Sequence, residues 1–476
     1  MIVFLLLSLV NVTVGPGWSY PIVVTEEPNS VQPRQFITRD ELGRFHLYWS
    51  NYQLEPRIGY KVFLLDGTTV VPDTMVSRDT SSGYLSWPVV LSDSLMAFWR
   101  EYNPVYYCIR SLEDGSEITP ATHLFTEYTD FPHIRACPDS LGRLHVLRNI
   151  GQDVRYAVWT PAEGSGFIEE YTCMIPEAWI IGMLLVDGDR VHMILGDGWQ
   201  TYMYMQYDLE GNVTVPIWDF TNDVGDMARY PGLAVDSNGD LIVVGRVSIS
   251  GYPSRYGFWK INGRTGDLEI EKWLVVSESP DMLVSKDMVL IPFPDHEKLY
   301  LVWVDSYYND ILWYIVMDND GNLFVEPTVA YDHGDEDPEQ LANVDGVVDS
   351  DGNLYVIYSA IYDEPVFGRY PTFGWFNASS LGLEEEGSSE QGTAFTIIEP
   401  SCNPFCGSVE FHVIGGAVSE LSVYDITGRL VVEIPVTDGV GIWDGSGFSG
   451  DRLPSGVYTI SGGEDCEPTV VTLLNV

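Results

Sequence analysis

The phrase Asp236-Ser-Asn-Gly-Asp-Leu-Ile-Val-Val-Gly-Arg246 constrains this chain more than any other stretch. Its first half is a tight turn, in which Asp and Asn hydrogen-bond locally and Gly accepts positive φ. Its second half is a β-branched run suited to a pleated, buried surface. The phrase returns as Asp40-Glu-Leu-Gly-Arg-Phe-His-Leu-Tyr48, Asp139-Ser-Leu-Gly-Arg-Leu-His-Val-Leu147 and Asp349-Ser-Asp-Gly-Asn-Leu-Tyr-Val-Ile357. Turn-then-strand units start at Asp40, Asp93, Asp139, Asp187, Asp236, Asp295 and Asp349, spaced 46 to 59 residues apart. Asp93 and Asp295 lack the turn glycine and are placed by spacing and by the strand that follows. A period of ~40–50 residues with several short strands per unit is the pattern of propeller blades.

Each unit reads as four strands. An apolar strand such as Pro231-Gly-Leu-Ala-Val235 precedes the Asp turn, and a second follows it. A third carries Tyr, as in Ile58-Gly-Tyr-Lys-Val-Phe63 and Val154-Arg-Tyr-Ala-Val-Trp159. A second turn, such as Asp66-Gly or Asp320-Gly-Asn, leads to the fourth. The chain is therefore expected to be all-β, with a seven-bladed propeller over residues 18–377; six or eight blades are the alternatives. The last unit shows three strands, ending at Phe376. Pro21-Ile-Val-Val-Thr25 is placed to supply the fourth and close the ring, hiding both edges.

With 24 basic against 69 acidic residues the net charge is −45, a surface that repels nucleic-acid phosphates and anionic lipid heads. The acidity is spread through turns and reads as solubility outside the cell. Residues 1–15 are apolar but too short for a membrane span of ~20 residues. They fit a secretory leader over 1–17, although a basic start is missing. No other run is apolar and long enough to span a membrane, and a monomer is expected. Cys108, Cys137 and Cys173 lie in the body; Cys402, Cys406 and Cys466 lie near the C-terminus. None has zinc-site spacing. One disulfide in each group fits an oxidising compartment, with Cys402 to Cys466 or Cys406 favoured and connectivity open.

Residues 378–396 are small, polar and acidic and read as a linker. Residues 397–476 carry about six short strands, which predict a small Ig-like β-sandwich. This module contains Asn403-Pro404-Phe405, then Val423-Tyr424-Asp425-Ile-Thr-Gly428-Arg429-Leu-Val431, Ile442-Trp443-Asp444-Gly445 and Leu453-Pro-Ser-Gly456-Val-Tyr458. On these motifs it resembles the type A sorting domain of type IX secretion system cargo, and the related Ig-like domain of flagellar hook-capping proteins. The resemblance implies export through the type IX machinery and a secreted or outer-surface location. Two departures stand out: Cys402 and Cys406 flank Asn-Pro-Phe, and the end of the chain lacks the basic residue the family often has. The repeats are similar to sialidase-like bacterial propellers, a fold shared by many unrelated roles.

Candidate chemistry is sparse. His46, His145 and His192 share one repeat position and read as packing between sheets rather than as a metal set. Trp49, Trp99, Trp303 and Tyr358 share another and read as core. The Asp-rich turns Asp318–Asn322 and Asp349–Asn353 imitate a calcium loop, but Leu323 and Leu354 stand where its sixth-position Gly belongs. Tyr331-Asp332-His333-Gly-Asp335-Glu-Asp337-Pro338 has no repeat counterpart and is the first choice for a metal or partner contact, with Ca2+ the ion considered; no other cofactor is expected. Sialidase chemistry needs three convergent Arg; Arg100 and Arg246 are equivalent, and Arg148 is one place off. No catalytic residue is assigned. The reading is a secreted or surface-held binding protein for an extracellular glycan or protein. A sialidase-like glycoside hydrolase or lyase, or a structural adhesion protein, are the alternatives.

Overall fold

The computed structural model describes residues 12–25, 35–51, 57–77, 83–85, 88–91, 93–101, 105–125, 134–150, 153–161, 167–175, 180–196, 202–221, 226–227, 231–248, 255–274, 288–305, 311–333, 341–362, 368–378, 397–400, 408–414, 419–425, 429–437, 440–448, 450–462 and 469–473. Their regular elements are all β-strands. No helix among them is long and apolar enough to cross a membrane. The chain divides into two compact units, Met1–Glu384 and Glu385–Val476.

The described residues of the first unit form seven antiparallel sheets, paired in chain order. The first contains Gln35–Arg39, Phe45–Asn51, Arg57–Phe63 and Thr69–Met75. The third contains Ile134–Pro138, Leu144–Ile150, Asp153–Pro161 and Phe167–Ile175. The fourth contains Ile180–Asp187, Arg190–Gly196, Tyr202–Asp208 and Val213–Asp219. The sixth contains Met288–Pro292, Lys298–Asp305, Ile311–Asp318 and Leu323–Asp332. The seventh contains Leu341–Val348, Leu354–Tyr362 and Gly368–Phe376. From the second sheet on, first strands of neighbouring sheets touch in succession, the first two sheets meet through Phe45–Asn51 and Gly83–Leu85, and Leu341–Val348 touches Gln35–Arg39, so the series returns to its start. This arrangement is consistent with a propeller.

The sheets are buried on both faces, so their second strands are apolar runs rather than alternating ones. Leu299, Tyr300, Leu301 and Val302 are consecutive, and each is 0% exposed. The core lies between sheets: Leu147 and Tyr156 of the third pack with Val191, Met193 and Leu195 of the fourth. The turn end is stitched by side chains. The Arg44 guanidinium donates to the Leu112 carbonyl, Gln206 to Gly263, and Tyr300 Oη to Gly352.

The N-terminal stretch closes the seventh sheet as expected. Ile22–Val23 pairs with Gly368–Phe376, Ile22 opposite Phe373 and Val23 opposite Thr372. The same stretch does more than its sequence suggests. Thr13–Val14 pairs with Asp332 and Tyr331 at the outer edge of the sixth sheet. Trp18, 7% exposed, packs against Tyr314, Tyr331 and Phe376 with ring centroids 5.2–5.4 Å away. Of the expected leader, residues 1–11 lie outside the described residues, while 12–17 take part in these contacts.

The second unit is a seven-stranded arrangement whose order is Ile397–Pro400, Val409–Ile414, Val440–Trp443, Leu430–Thr437, Glu420–Asp425, Gly456–Ser461, Thr469–Leu473. Leu430–Thr437 serves two partners. Its first part pairs with Glu420–Asp425 and its end, Val436–Thr437, with Val440–Trp443. Phe411, Leu421, Val423, Trp443, Ile460 and Val471 form its core.

Candidate functional site

The repeated Asp turn resolves into a polar brace. Asp139 Oδ1 accepts the backbone N–H of Leu141 and Arg143, each at 2.9 Å. Its Oδ2 accepts Arg143 Nε at 2.7 Å and faces His145 Nε2 at 3.3 Å. A carboxylate only accepts, so Nε2 carries the ring proton and Nδ1 accepts Tyr156 Oη at 2.6 Å. Asp40, Arg44, His46 and Tyr60 repeat the set in the first sheet. Burial would raise the Asp139 carboxyl, but hydrogen bonds from Arg143, His145 and the turn backbone hold it below the usual carboxylate range. Burial lowers His145 despite Asp139, so the ring is kept neutral. In the fifth sheet, which contains Gly232–Val235, Leu241–Ser248, Arg255–Ile261 and Leu268–Leu274, Lys260 Nζ takes the place of Arg and His, 2.9 Å from Asp236 Oδ2. In the seventh, Tyr355 Oη donates to Asp349 Oδ2 at 2.7 Å. The histidines are bound up in sheet architecture, as their repetition suggests. The Asp-rich turns are likewise hairpins, with Asp318 Oδ1 accepting the N–H of Asp320 and Asn322.

The candidate metal loop is only partly described. Asp332 ends its strand, paired with Ile311 and Thr13. His333 Nε2 lies 3.1 Å from Tyr358 Oη, the rings meeting edge to face at 5.7 Å. Burial pushes His333 down to about 4, which keeps it neutral. Asp335 and Asp337 lie outside the described residues. Among the described residues no three His, Cys, Asp or Glu side chains form a group that could hold a metal.

The aromatic column is core. Trp49, Trp99 and Tyr358 are at most 1% exposed, and Trp303 stacks on Trp313 at 6.3 Å. Trp49 lies across Gly59 on the paired strand, where any Cβ would strike the indole. Of the three arginines, Arg148 lies over the Trp159 ring at 6.0 Å and Arg246 has no hydrogen-bond partner for its buried Nε. The Arg100 side chain lies outside the described residues. A groove of about 400 Å³ between the fourth and fifth sheets is lined by Val215, Pro216, Trp218 and the turn from Thr265 to Leu268. Cys108 and Cys137 are free thiols, so neither forms the disulfide expected in the body. Burial pushes Cys108 up to about 11, which keeps it an unreactive thiol.

One cluster escaped the sequence reading. Gln35, Asn343, Asp345 and Ser359 meet where the first and seventh sheets join. Its only trace in sequence is the pair Asn343 and Asp345 inside the otherwise apolar Leu341–Val348.

In the second unit the resembling residues sit at joints. Trp443 is 2% exposed, and its Nε1 donates to the Ser446 carbonyl. Asp444 Oδ1 caps the Ser446 N–H, and Gly445 takes φ 79°. Tyr458 is buried and donates from Oη to the Pro454 carbonyl at 2.8 Å. Tyr424 pairs with Thr459, Asp425 with Tyr458, and Gly456 opens the strand that pairs with Leu473. Arg429 is exposed. Asn403, Pro404, Phe405 and Gly428 lie outside the described residues.

No protein-family model matches the sequence, and no curated protein does. Among solved structures the fold is similar to a fungal alcohol oxidase of the AA5 family in complex with copper. The TM-score is 0.50 at 12% identity, over 98% of this chain and 100% of that one. It is also similar to the Dos1 propeller, with TM-score 0.41 at 9% identity over 78% and 96%. A third similarity is to PorZ, a surface component of the type-IX secretion system of Porphyromonas gingivalis, with TM-score 0.26 at 12% identity over 92% and 81%. At 12% identity the likeness to the oxidase reaches the fold and not the chemistry.

Proposed function

We propose that this chain is an exported binding protein: a seven-bladed propeller followed by an Ig-like module that serves as a type IX sorting signal. The carrying observation is that Trp443, Gly445 and Tyr458 of the resembling motifs are the residues that shape the second unit's turns. A buried Tyr whose hydroxyl reaches back to an upstream carbonyl is a recurrent corner of Ig-like sandwiches. Motif residues with such jobs support a shared fold better than a chance match would. The test is export. Full-length protein expressed in a type IX-secreting bacterium should reach the surface or medium, and deletion of residues 385–476 should retain it inside. Export unchanged by the deletion would reject the sorting role.

Binding is assigned to the propeller because the carboxylates and histidines of the repeated turns are taken up by braces such as Asp139–Arg143–His145. The ligand is then left to the connections at the other end of the sheets, which join second to third strands and each fourth strand to the next sheet. Asp332 and His333, with Asp335 and Asp337, are the proposed metal contact there; a neutral His333 suits a ligand role. An array of glycans and surface proteins probed with the full chain, with and without Ca2+, tests this. Specific capture supports binding. Turnover of a captured glycan would favour the hydrolase or lyase alternative, and no capture at all would favour a structural adhesion role.

A further inference from the structure

The outer strand of each sheet places one residue opposite the core aromatic of the third strand. In the first, second and sixth sheets this residue is Thr74, Thr122 and Thr328, opposite Tyr60, Tyr107 and Tyr314. In the third, fifth and seventh it is Cys173, Lys272 and Ile22. The threonines turn back on their own strands: Thr74 Oγ1 donates to the Pro72 carbonyl at 2.8 Å, Thr122 Oγ1 to Pro120 at 2.7 Å and Thr328 Oγ1 to Glu326 at 2.7 Å. Only the fourth sheet has an aromatic residue at this position, Trp218 opposite Tyr204. Its indole meets Tyr204 and Phe220 edge to face, with centroids 6.5 and 6.0 Å away, and remains partly exposed. A row that is otherwise small, polar or aliphatic is thus broken by the largest side chain, and the break coincides with the groove of about 400 Å³ beside the fifth sheet.

The groove has two unlike walls. One is the outer strand of the fourth sheet, with Val215, Pro216 and the indole; the other is the turn at residues 262–267, with Thr265 and Asp267. Their spacing is fixed. Gly266 takes φ 75° and lies against Val215, where a Cβ would come within 2.6 Å of Val215 Cγ1. Asn262 holds the turn: its carbonyl accepts the Gly266 N–H at 2.8 Å, and its Oδ1 accepts the N–H groups of Arg264 and Thr265 at 2.9 and 3.0 Å. Thr265 Oγ1 accepts the Asp267 N–H at 3.3 Å and keeps its own proton to donate. The Asp267 carboxylate only accepts, and it is the one ionised group among the lining residues. A ligand therefore meets a flat apolar wall, an acceptor and a hydroxyl, all in place before it arrives.

We propose that this groove binds one neutral pyranose unit of a glycan, its C–H face on the Trp218 indole and its hydroxyls on Asp267 and Thr265. A pyranose ring is apolar across its faces and polar around its rim, the same division as the groove. Its C–H groups carry slight positive charge and meet the negative face of the indole. Its hydroxyls supply the donors that a carboxylate requires. Acidic sugars are repelled by Asp267 and by a chain of net charge −45. A cationic ligand is opposed by Arg264, exposed on the same turn. The volume falls within the range of small-ligand sites. The groove lies on the outer flank at the turn end, apart from the loops proposed above for the ligand, and rests on that reading only in taking the ligand to be a glycan.

Calorimetric titration of the full chain with neutral trisaccharides of glucose, mannose, galactose and N-acetylglucosamine tests this, with sialyllactose and a lysine-rich peptide as charged probes. At least one neutral trisaccharide should bind, and neither charged probe should compete with it. Trp218→Ala and Asp267→Ala should each weaken that binding at least about tenfold. Trp218→Phe keeps a ring face and should retain most of it. Asp267 lies on an exposed turn, so its variant decides the question even if Trp218→Ala fails to fold. Neutral-sugar binding that Asp267→Ala leaves unchanged would overturn the groove assignment and leave the binding reading standing. Binding of a charged probe alone, or of none of the trisaccharides, would overturn it as well; capture of other ligands on the array would then still decide the binding reading.

Discussion

In the third sheet His145 has a partner on each ring nitrogen; in the fourth, His192 has one on Nδ1 alone. The two occupy the same repeat position and are both 0% exposed. The difference comes from the turn. Asp139-Ser-Leu-Gly-Arg143 is long enough to fold its first carboxylate back over the strand. Asp187-Gly-Asp-Arg190 is one residue shorter, and among the described residues no Asp faces His192. Gln206 Nε2 donates to Tyr204 Oη at 3.0 Å, so the Tyr204 proton is directed to His192 Nδ1, 2.9 Å away. Nε2 then carries a buried proton with no acceptor. Burial is opposed by Asp139 at His145, whereas at His192 burial and Arg190 act together and push the ring down to about 4. A buried histidine in this fold is thus stabilised by its turn, not by its strand.

The strongest way to break the comparison is to remove the carboxylate. Asp139→Ala should cost about 3–4 kcal/mol, because it leaves Arg143, His145 and two turn N–H groups without their acceptor. Urea unfolding of the full chain measures it. A loss below about 1 kcal/mol would mean that the brace is ornamental and the sheets are held by apolar packing alone.

Acid sharpens the comparison next. The folded value for His192, about 4, lies below the ordinary histidine value of 6.5, so the unfolded chain binds the proton first. Stability from this group is therefore complete above pH ~6.5 and is lost as pH falls towards 4. Between pH 7 and pH 5 the loss should be about 2 kcal/mol. Comparing native and His192→Leu protein at both values isolates it, since His333 titrates in both. Equal losses in the two proteins would show that His192 is not held neutral. At pH 7 the ranking of leucine variants should separate the sheets as well. His145→Leu removes a donor from Asp139 and should cost about 1 kcal/mol more than His192→Leu, which also removes an orphaned donor.

Much of this architecture was readable from sequence because the signal is local and repeated. A turn-forming Asp, a Gly at positive φ and a β-branched run set a hairpin whatever surrounds them, and the Tyr of the third strand marks its partner. The ring closure by Ile22–Val23 was legible for a different reason: the last unit is one strand short. The site was less legible. Asp345 looked like one polar residue in an inner strand, and only the return of the seventh sheet to the first puts it against Ile37. Thr13–Val14 and Trp18 were hidden by composition, because an apolar start that resembles a leader also suits an outer strand. Asp332 and His333 were found as a pair, but the partners that decide their role lie on other segments.

The smallest expected effect concerns the turns themselves. Gly142 in the third sheet has φ 75° and Gly188 in the fourth has φ 55°, and a Cβ at either would meet nothing within 4 Å. Space is therefore no obstacle, and backbone conformation alone sets the cost. Alanine at either position should lose about 1 kcal/mol, the penalty of the left-handed region for a residue with a Cβ. Asn, whose short side chain hydrogen-bonds locally, tolerates that region, so Gly142→Asn and Gly188→Asn should each lose less than the alanine variant. The comparison adds a sharper expectation. At Gly142 any disturbance of the turn also moves Asp139 off His145, whereas at Gly188 there is no such carboxylate to move. Gly142→Asn should consequently raise the acid sensitivity of the third sheet, and Gly188→Asn should leave the fourth unchanged. Amide exchange of Leu144–Ile150 and Arg190–Gly196 at pH 5 distinguishes the two; equal responses would show that the turn does not govern the histidine it precedes.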